Sequence, residues 1–280
     1  LVTNDVALIT FVPFTCSLLQ RDDQRKILLR IVVIEAAAAN LGSMATPIGN
    51  PQNLYLYSTY SFSLGTFFKT ILPIVGISYI GLLFSLLLIP QQPLAAEIPT
   101  ESHLPLSAQK KNLIIYSILG VVCLATVAGL VTYVVCFCVV LLGMIVTDRA
   151  LIRRVDWELL LTFVCFFLFS GNLQQIEPVR NLMMQGLSGG VCLTAALVSQ
   201  VISNVPAAVL LSGFTEQGKE LLLGVDIGGL GTPIASLASL IAYQYYAKSK
   251  LANPAKYLQF FFIYQFIGLF LLLAIKFILL

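Results

Sequence analysis

The 280-residue chain is 58% hydrophobic and only 10% charged, with a net charge of +3. A water-soluble protein of ordinary composition carries about 25% charge, so a soluble domain is excluded and the lipid bilayer becomes the expected solvent. The basic residues sit in short clusters between apolar runs, which suits membrane loops and argues against nucleic acid as a partner.

Residues 1–14 read as a stretch already under way, with neither an initiating Met nor a signal peptide. The first basic cluster, Arg21, Arg25, Lys26 and Arg30, follows, with Asp22 and Asp23 in a solvated turn. An apolar segment then runs from Arg30 to Tyr60 through Pro47 and Pro51, and 66–89 is a second span. The stretch 91–112, with Pro93, Pro99 and Pro105, reads as a linker between two halves. Residues 113–146 predict a helical hairpin ending at Arg149, Arg153 and Arg154, and 159–171 predicts one more crossing. The remaining apolar segments are 191–213, 221–246 and 257–279, with Lys248, Lys250 and Lys256 before the last.

Positive charge marks the cytoplasmic side. The basic-poor loops 58–65 and 174–188 are therefore expected outside, and the three basic clusters and the linker inside. Only one crossing then fits between Gly186 and Lys248, although two apolar segments lie there. The first, 191–213, must enter and leave by the outer face as a re-entrant hairpin.

A repeat supports this. NLGSMATPIGNPQNLYLY at 40–57 aligns without gaps on DIGGLGTPIASLASLIAY at 226–243, sharing Gly42/Gly228, Thr46-Pro47-Ile48/Thr232-Pro233-Ile234, Leu54/Leu240 and Tyr57/Tyr243. Upstream of each lies a second pair, Thr3-Asn4-Asp5-Val6-Ala7 and Ser203-Asn204-Val205-Pro206-Ala207. The two copies cross in opposite directions, as inverted-topology repeats do. The expected fold is an all-α polytopic membrane protein of inverted repeats, with re-entrant hairpins and broken transmembrane helices. Its parts are 1–90 (the first repeat, its first hairpin incomplete), 91–112 (a cytoplasmic linker) and 113–280 (the second repeat).

Pro and Gly inside a span free backbone groups that hydrocarbon cannot satisfy, so such breaks belong where they line a cavity or hold an ion. Helix N-termini there favour anions, and unwound carbonyls favour Na⁺ or protons. The expected substrate- and ion-binding residues are Thr3, Asn4, Asp5, Thr46, Pro47, Gly49, Asn50, Ser203, Asn204, Val205, Pro206, Gly231, Thr232 and Pro233. A carboxylate within a span costs about 3 kcal/mol or more, which makes Asp5, Glu35 and Asp226 the candidates for coupling. No Lys or Arg lies in the repeated motifs, so helix ends, hydroxyls, amides and bound cations would hold an anionic substrate. Lys69 and Lys276, near span ends, are expected to snorkel to the interface.

No catalytic residues are expected. The six cysteines make no CxxC pair and the chain has one histidine, His103, so no metal site beyond Na⁺ is expected and the cysteines read as packing residues. An intramembrane enzyme lacks its usual His/Glu motif, and no GxxxxGK[ST] loop is present for ATP hydrolysis. A channel fits repeated broken helices less well than alternating access does.

The segments TNDVALITFVPF, NLGSMATPIGNPQN, SQVISNVPAAVLLSGF and GVDIGGLGTPIASLASLIAY resemble the ion transporter superfamily, that is, the ArsB/NhaD and citrate-transporter-like permeases related to divalent anion:Na⁺ symporters. The resemblance implies two inverted repeats meeting at a substrate site, with further helices ahead of the first hairpin. It implies a multi-pass protein of the plasma or inner membrane that carries a small anion, an inorganic oxyanion, arsenite or a carboxylate, with Na⁺ or H⁺. Na⁺/H⁺ antiport is the alternative. Carboxylate–sodium members carry Ser-Asn-Thr at the hairpin tips, whereas these tips read Thr3-Asn4-Asp5 and Ser203-Asn204-Val205, which tilts the expectation toward arsenite-permease-like or uncharacterised anion branches. A homodimer and a separate ATPase are the partners this resemblance allows; no other cofactor is expected.

Overall fold

Pro and Gly set most of the element boundaries. A computed structural model describes residues 3–90, 106–147, 149, 152, 155 and 157–279. Among them are thirteen α-helices. The first four are α1 (Asn4–Leu18), α2 (Arg25–Ser43), α3 (Pro51–Thr59) and α4 (Leu64–Leu87). The middle of the chain gives α5 (Leu106–Val127), α6 (Tyr133–Thr147), α7 (Trp157–Leu173) and α8 (Glu177–Ser188). The last five are α9 (Val191–Ile202), α10 (Asn204–Ser212), α11 (Gly218–Ile227), α12 (Leu237–Ala247) and α13 (Pro254–Leu279). Between α1 and α2 a single 3₁₀ turn, Asp22–Gln24, carries Asp23 bonded to Arg21 in the open, the solvated turn expected there.

By length and composition, α4 and α13 are fit to cross a membrane. At 1.5 Å per residue their 24 and 26 residues exceed a hydrocarbon core of about 30 Å. Their outer faces carry bare apolar side chains such as Ile80, Phe84, Ile267 and Phe270, which only a bilayer tolerates.

The chain divides into two compact units, Glu97–Val164 and the remainder, Leu1–Ala96 with Cys165–Leu280. In the smaller unit α5 packs on α6, with Leu119 seated against Gly143 and the sulfurs of Cys123 and Cys136 3.9 Å apart.

In the larger unit the two broken segments have the same build. α2 stops at Ser43 and α3 starts at Pro51, while α11 stops at Ile227 and α12 starts at Leu237. Helices α9 and α10 fold against each other about Ser203, whose φ of +75° turns the chain. This is the helical hairpin expected at 191–213.

Packing repeats too. α1 lies on α2 and α12, and α10 lies on α11 and α3. α2 meets α12, α4 and α13, as α11 meets α3, α13 and α4. Each hairpin-tip helix is thus held by its own repeat's first half-helix and by the other repeat's second half-helix.

Three expectations need correction. Residues 174–188 are mostly the helix α8, started by Pro178 in its first turn and stopped before Gly189 and Gly190. The linker's end, from Leu106, already belongs to α5, because Leu, Ala, Gln and Lys after Pro105 are good helix formers; residues 91–105 lie outside the described residues. Lys69 is exposed as expected, but Lys276 does not snorkel. It is buried and pairs with Glu220 in the first turn of α11, tying α13 to it.

Candidate functional site

The two tips and the two breaks come together in the same way. The Asn4 backbone N–H at the start of α1 donates to the Gly49 carbonyl at 3.3 Å, and the Asn204 N–H at the start of α10 donates to the Ala235 carbonyl at 2.9 Å. Gly49 and Ala235 occupy matching positions in the aligned repeat. Both Asn side chains are buried. Asn4 Oδ1 accepts from the Asp5 N–H, while Asn204 lies against Gly229, whose Cβ would fall 3.0 Å from the Asn204 amide nitrogen.

The breaks end in matching caps. The Asn50 side chain accepts from the Asn53 N–H, and Ser236 accepts from the Ala238 N–H, at the N-caps of α3 and α12. The N-termini of α1 and α3 therefore meet at one break, and those of α10 and α12 at the other. Each pair presents positive dipole ends beside the C-terminal carbonyls of α2 or α11. Such a centre accepts an anion at the N-termini and a cation at the carbonyls.

The breaks are shaped by close approach. A Cβ on Gly49 would fall 2.0 Å from the Ser43 carbonyl oxygen, and Gly231 takes a φ of +108° beside the Gln200 side chain. Pro47 is buried and Pro233 half-buried in the two breaks. Thr46 lends its carbonyl to Gly49 N–H and to the Asn53 amide. Thr232 is fully engaged: its N–H donates to Gln200 Oε1, its hydroxyl donates to the Gln200 carbonyl and accepts from Ala235 N–H. It fastens the loop. At the second tip, Ser203 reaches Ala235, Val205 is buried, and the Pro206 carbonyl accepts from Ser170. At the first, the Thr3 carbonyl accepts from Ala7 N–H.

The repeats also cross. Asn40, late in α2, donates to the Gly229 carbonyl and to Ser239 Oγ, both at 3.3 Å, and accepts from Ser236 Oγ at 2.7 Å. Its aligned counterpart, Asp226, accepts from the Asn50 amide at 3.4 Å and the Gln52 amide at 3.2 Å, with the Asn53 side chain also in hydrogen-bond reach. Asn50 and Asn53 align with Ser236 and Ser239. Each repeat therefore reads the other's break with the same two positions.

The three acids are not gathered together. Asp226 sits in this crossing, whereas Glu35 accepts from Thr15 of α1 and Asp5 stands at the tip of α1 with its Oδ1 buried and unpartnered. Sequence reasoning missed Gln52, Asn53, Gln200, Ser236 and Ser239. Their only signal was an amide or hydroxyl in an otherwise apolar run.

Among the described residues no group of three or more His, Cys, Asp or Glu could hold a metal ion. Two broken helices, their hairpin tips and spanning helices with bare apolar faces define a polytopic α-helical membrane protein. The chain belongs to the citrate transporter family, whose model matches residues 1–216. It is 32% identical over 242 residues to the "Uncharacterized transporter MJ0456" of Methanocaldococcus jannaschii, covering 86% of this chain and 65% of that protein. It is 33% identical over 257 residues to the "Inner membrane protein YbiR" of Escherichia coli, covering 86% of this chain and 64% of that protein. The chain thus spans less than two thirds of the length of these curated relatives.

Proposed function

We propose that the protein is a secondary active transporter of the plasma or inner membrane, moving a small anion by alternating access with Na⁺ or H⁺ as the driving ion. The substrate class is an inorganic oxyanion, arsenite or a carboxylate. The observation that carries this reading is the doubled contact between hairpin tip and break, Asn4 with Gly49 and Asn204 with Ala235. Helix N-termini face that centre without a Lys or Arg in either motif, so an anion is met by N–H groups and amides. Membrane potential contributes about 2.3 kcal/mol per charge per 100 mV, enough for useful accumulation with few ions. The family's description favours a carboxylate; the Asp5 and Val205 tips favour an inorganic anion.

The test is uptake into proteoliposomes of citrate, succinate, sulfate and arsenite, under separate Na⁺ and pH gradients. Asn4→Ala and Asn204→Ala are each expected to lower gradient-driven uptake about tenfold or more, because each removes a buried amide from the centre. Exchange of Na⁺ for H⁺ with none of these anions moving would overturn the reading and leave an antiporter.

A further inference from the structure

We propose that the groove between α4 and α13 binds a long-chain fatty acid in its neutral form, the chain lying in the groove and the carboxyl group paired with the Gln265 amide. The inference stands apart from the transport reading and follows from one cavity and one buried side chain.

The cavity has a volume of about 300 Å³ and is walled by α2, α4, α13 and Leu230 of the second break. Ser78, Leu230, Gln265 and Leu272 in its lining are buried, while Phe84, Ile267 and Leu271 are exposed. Those three lie on the bare apolar faces of the two spanning helices, so the groove opens to the bilayer. Gln265 stands eleven residues beyond Pro254, about 16 Å along α13 and within the hydrocarbon.

Gln265 is 1% exposed, and neither its Nε2 nor its Oε1 has a partner among the described residues. A primary amide asks for an acceptor at its nitrogen and a donor at its oxygen. The hydroxyls lining the cavity have no proton left to give. Ser78 donates to the Ile74 carbonyl, Tyr264 to Ser85 at 2.8 Å, and Ser85 to the Gly81 carbonyl. The missing donor must therefore come from an occupant, and so must the acceptor for Nε2.

A neutral carboxyl group supplies both at once. Its O–H donates to Oε1 while its carbonyl accepts from Nε2, closing a ring of two hydrogen bonds. Among the described residues no Asp, Glu, Lys, Arg or His lines the cavity. An ionised carboxylate would find no opposite charge there, and in such surroundings it takes up a proton instead. The volume stands at the lower end of small-molecule sites, about 300–1,000 Å³, which suits one chain rather than the two of a phospholipid. A phospholipid ester also lacks the donor that Oε1 needs. A single water bridges the amide but leaves the apolar walls bare, and apolar cavities stay dry. Gly81 keeps the groove open, since nothing lies within 4 Å of where its Cβ would stand. The bound chain rests on Leu230, whose carbonyl Gln200 holds, and so touches the second break.

The test is photolabelling of the full-length protein in nanodiscs with palmitic acid carrying a diazirine in its chain, followed by peptide mapping. Label is expected on 77–85 and 264–272, competed by unlabelled palmitic acid and about tenfold less well by its methyl ester, which lacks the O–H. Gln265→Leu, which replaces an unpartnered amide with an apolar group of similar size, should lower labelling about tenfold. Gly81→Leu should abolish it by filling the groove. Equal competition by the acid and the methyl ester on the parent protein overturns the proposal, even where neither variant folds. So does competition by added phospholipid as strong as by the acid, which would make the groove an ordinary lipid contact. Label spread evenly over the apolar faces of α4 and α13 overturns it too, as does a dimer in the parent that Gln265→Leu dissociates, because a second copy would then cover the amide.

Discussion

The two breaks have the same shape but are held from different places. In the first, the loop from Met44 to Asn50 is secured from the half-helix that follows it: the Asn53 amide donates to the Met44 and Thr46 carbonyls. In the second, the aligned residue is Ser239, which is turned to Asn40 instead, and the loop is secured from the hairpin. Gln200 of α9 donates to the Gly228 and Leu230 carbonyls and accepts from Thr232 N–H. One break therefore carries its own brace, while the other is braced by the hairpin arm beside it. A movement of α9 reaches the second break through Gln200, both by its side chain and by its carbonyl, which accepts from the Thr232 hydroxyl.

The sharpest way to break this comparison is in the glycines. Gly49→Ala sets a Cβ 2.0 Å from a backbone carbonyl that has no room to withdraw, and is expected to cost more than about 4 kcal/mol, so that no folded protein is recovered from detergent. Gly231→Ala strains φ by about 1–3 kcal/mol and meets only the end of the Gln200 side chain. That variant should fold, with a lowered melting temperature.

The braces themselves come next. Gln200→Ala removes three hydrogen bonds to the second break, about 3 kcal/mol in all. Amide hydrogen exchange should rise at 228–235 and stay unchanged at 44–50, and Asn53→Ala should reverse the pattern. Equal acceleration of both loops in either variant would show that the two breaks share one brace. The smallest effect belongs to Ser236→Ala, which strips the α12 cap and the bond to Asn40 at a cost of about 1–2 kcal/mol, a drop of a few degrees in thermal unfolding.

Much of this was legible in the residues. Thr-Pro-Ile twice, each with glycine nearby, marked the breaks because Pro lacks the N–H that a helix ladder needs and Gly is a poor helix former. The basic clusters demanded a hairpin at 191–213, and Ser203 turns it. The tips were readable as Thr/Ser-Asn pairs. What the residues could not disclose is which partner each would meet. Alignment makes Asn40 equivalent to Asp226, but nothing in the order of residues says that each bonds the other repeat's cap; that follows from packing α2 on α12 and α3 on α11. Gln200 looked like a stray amide in a hydrophobic arm. Lys276 near a span end looked like a snorkelling lysine because Glu220, its partner, is far away in sequence.

The exchange of half-helices has a consequence for how the molecule is made. While α3 leaves the ribosome, α11 has yet to be synthesised. Until α11 and then α12 arrive, Gln52 lacks its acceptor, Asn50 one of its two, and α1 half of its seat. The early repeat cannot mature in the order of translation; it waits in the bilayer as an unfinished insertion product, exposed to membrane quality control. Each half acts as the other's folding template, and the nascent protein passes inspection only when its latter portion docks.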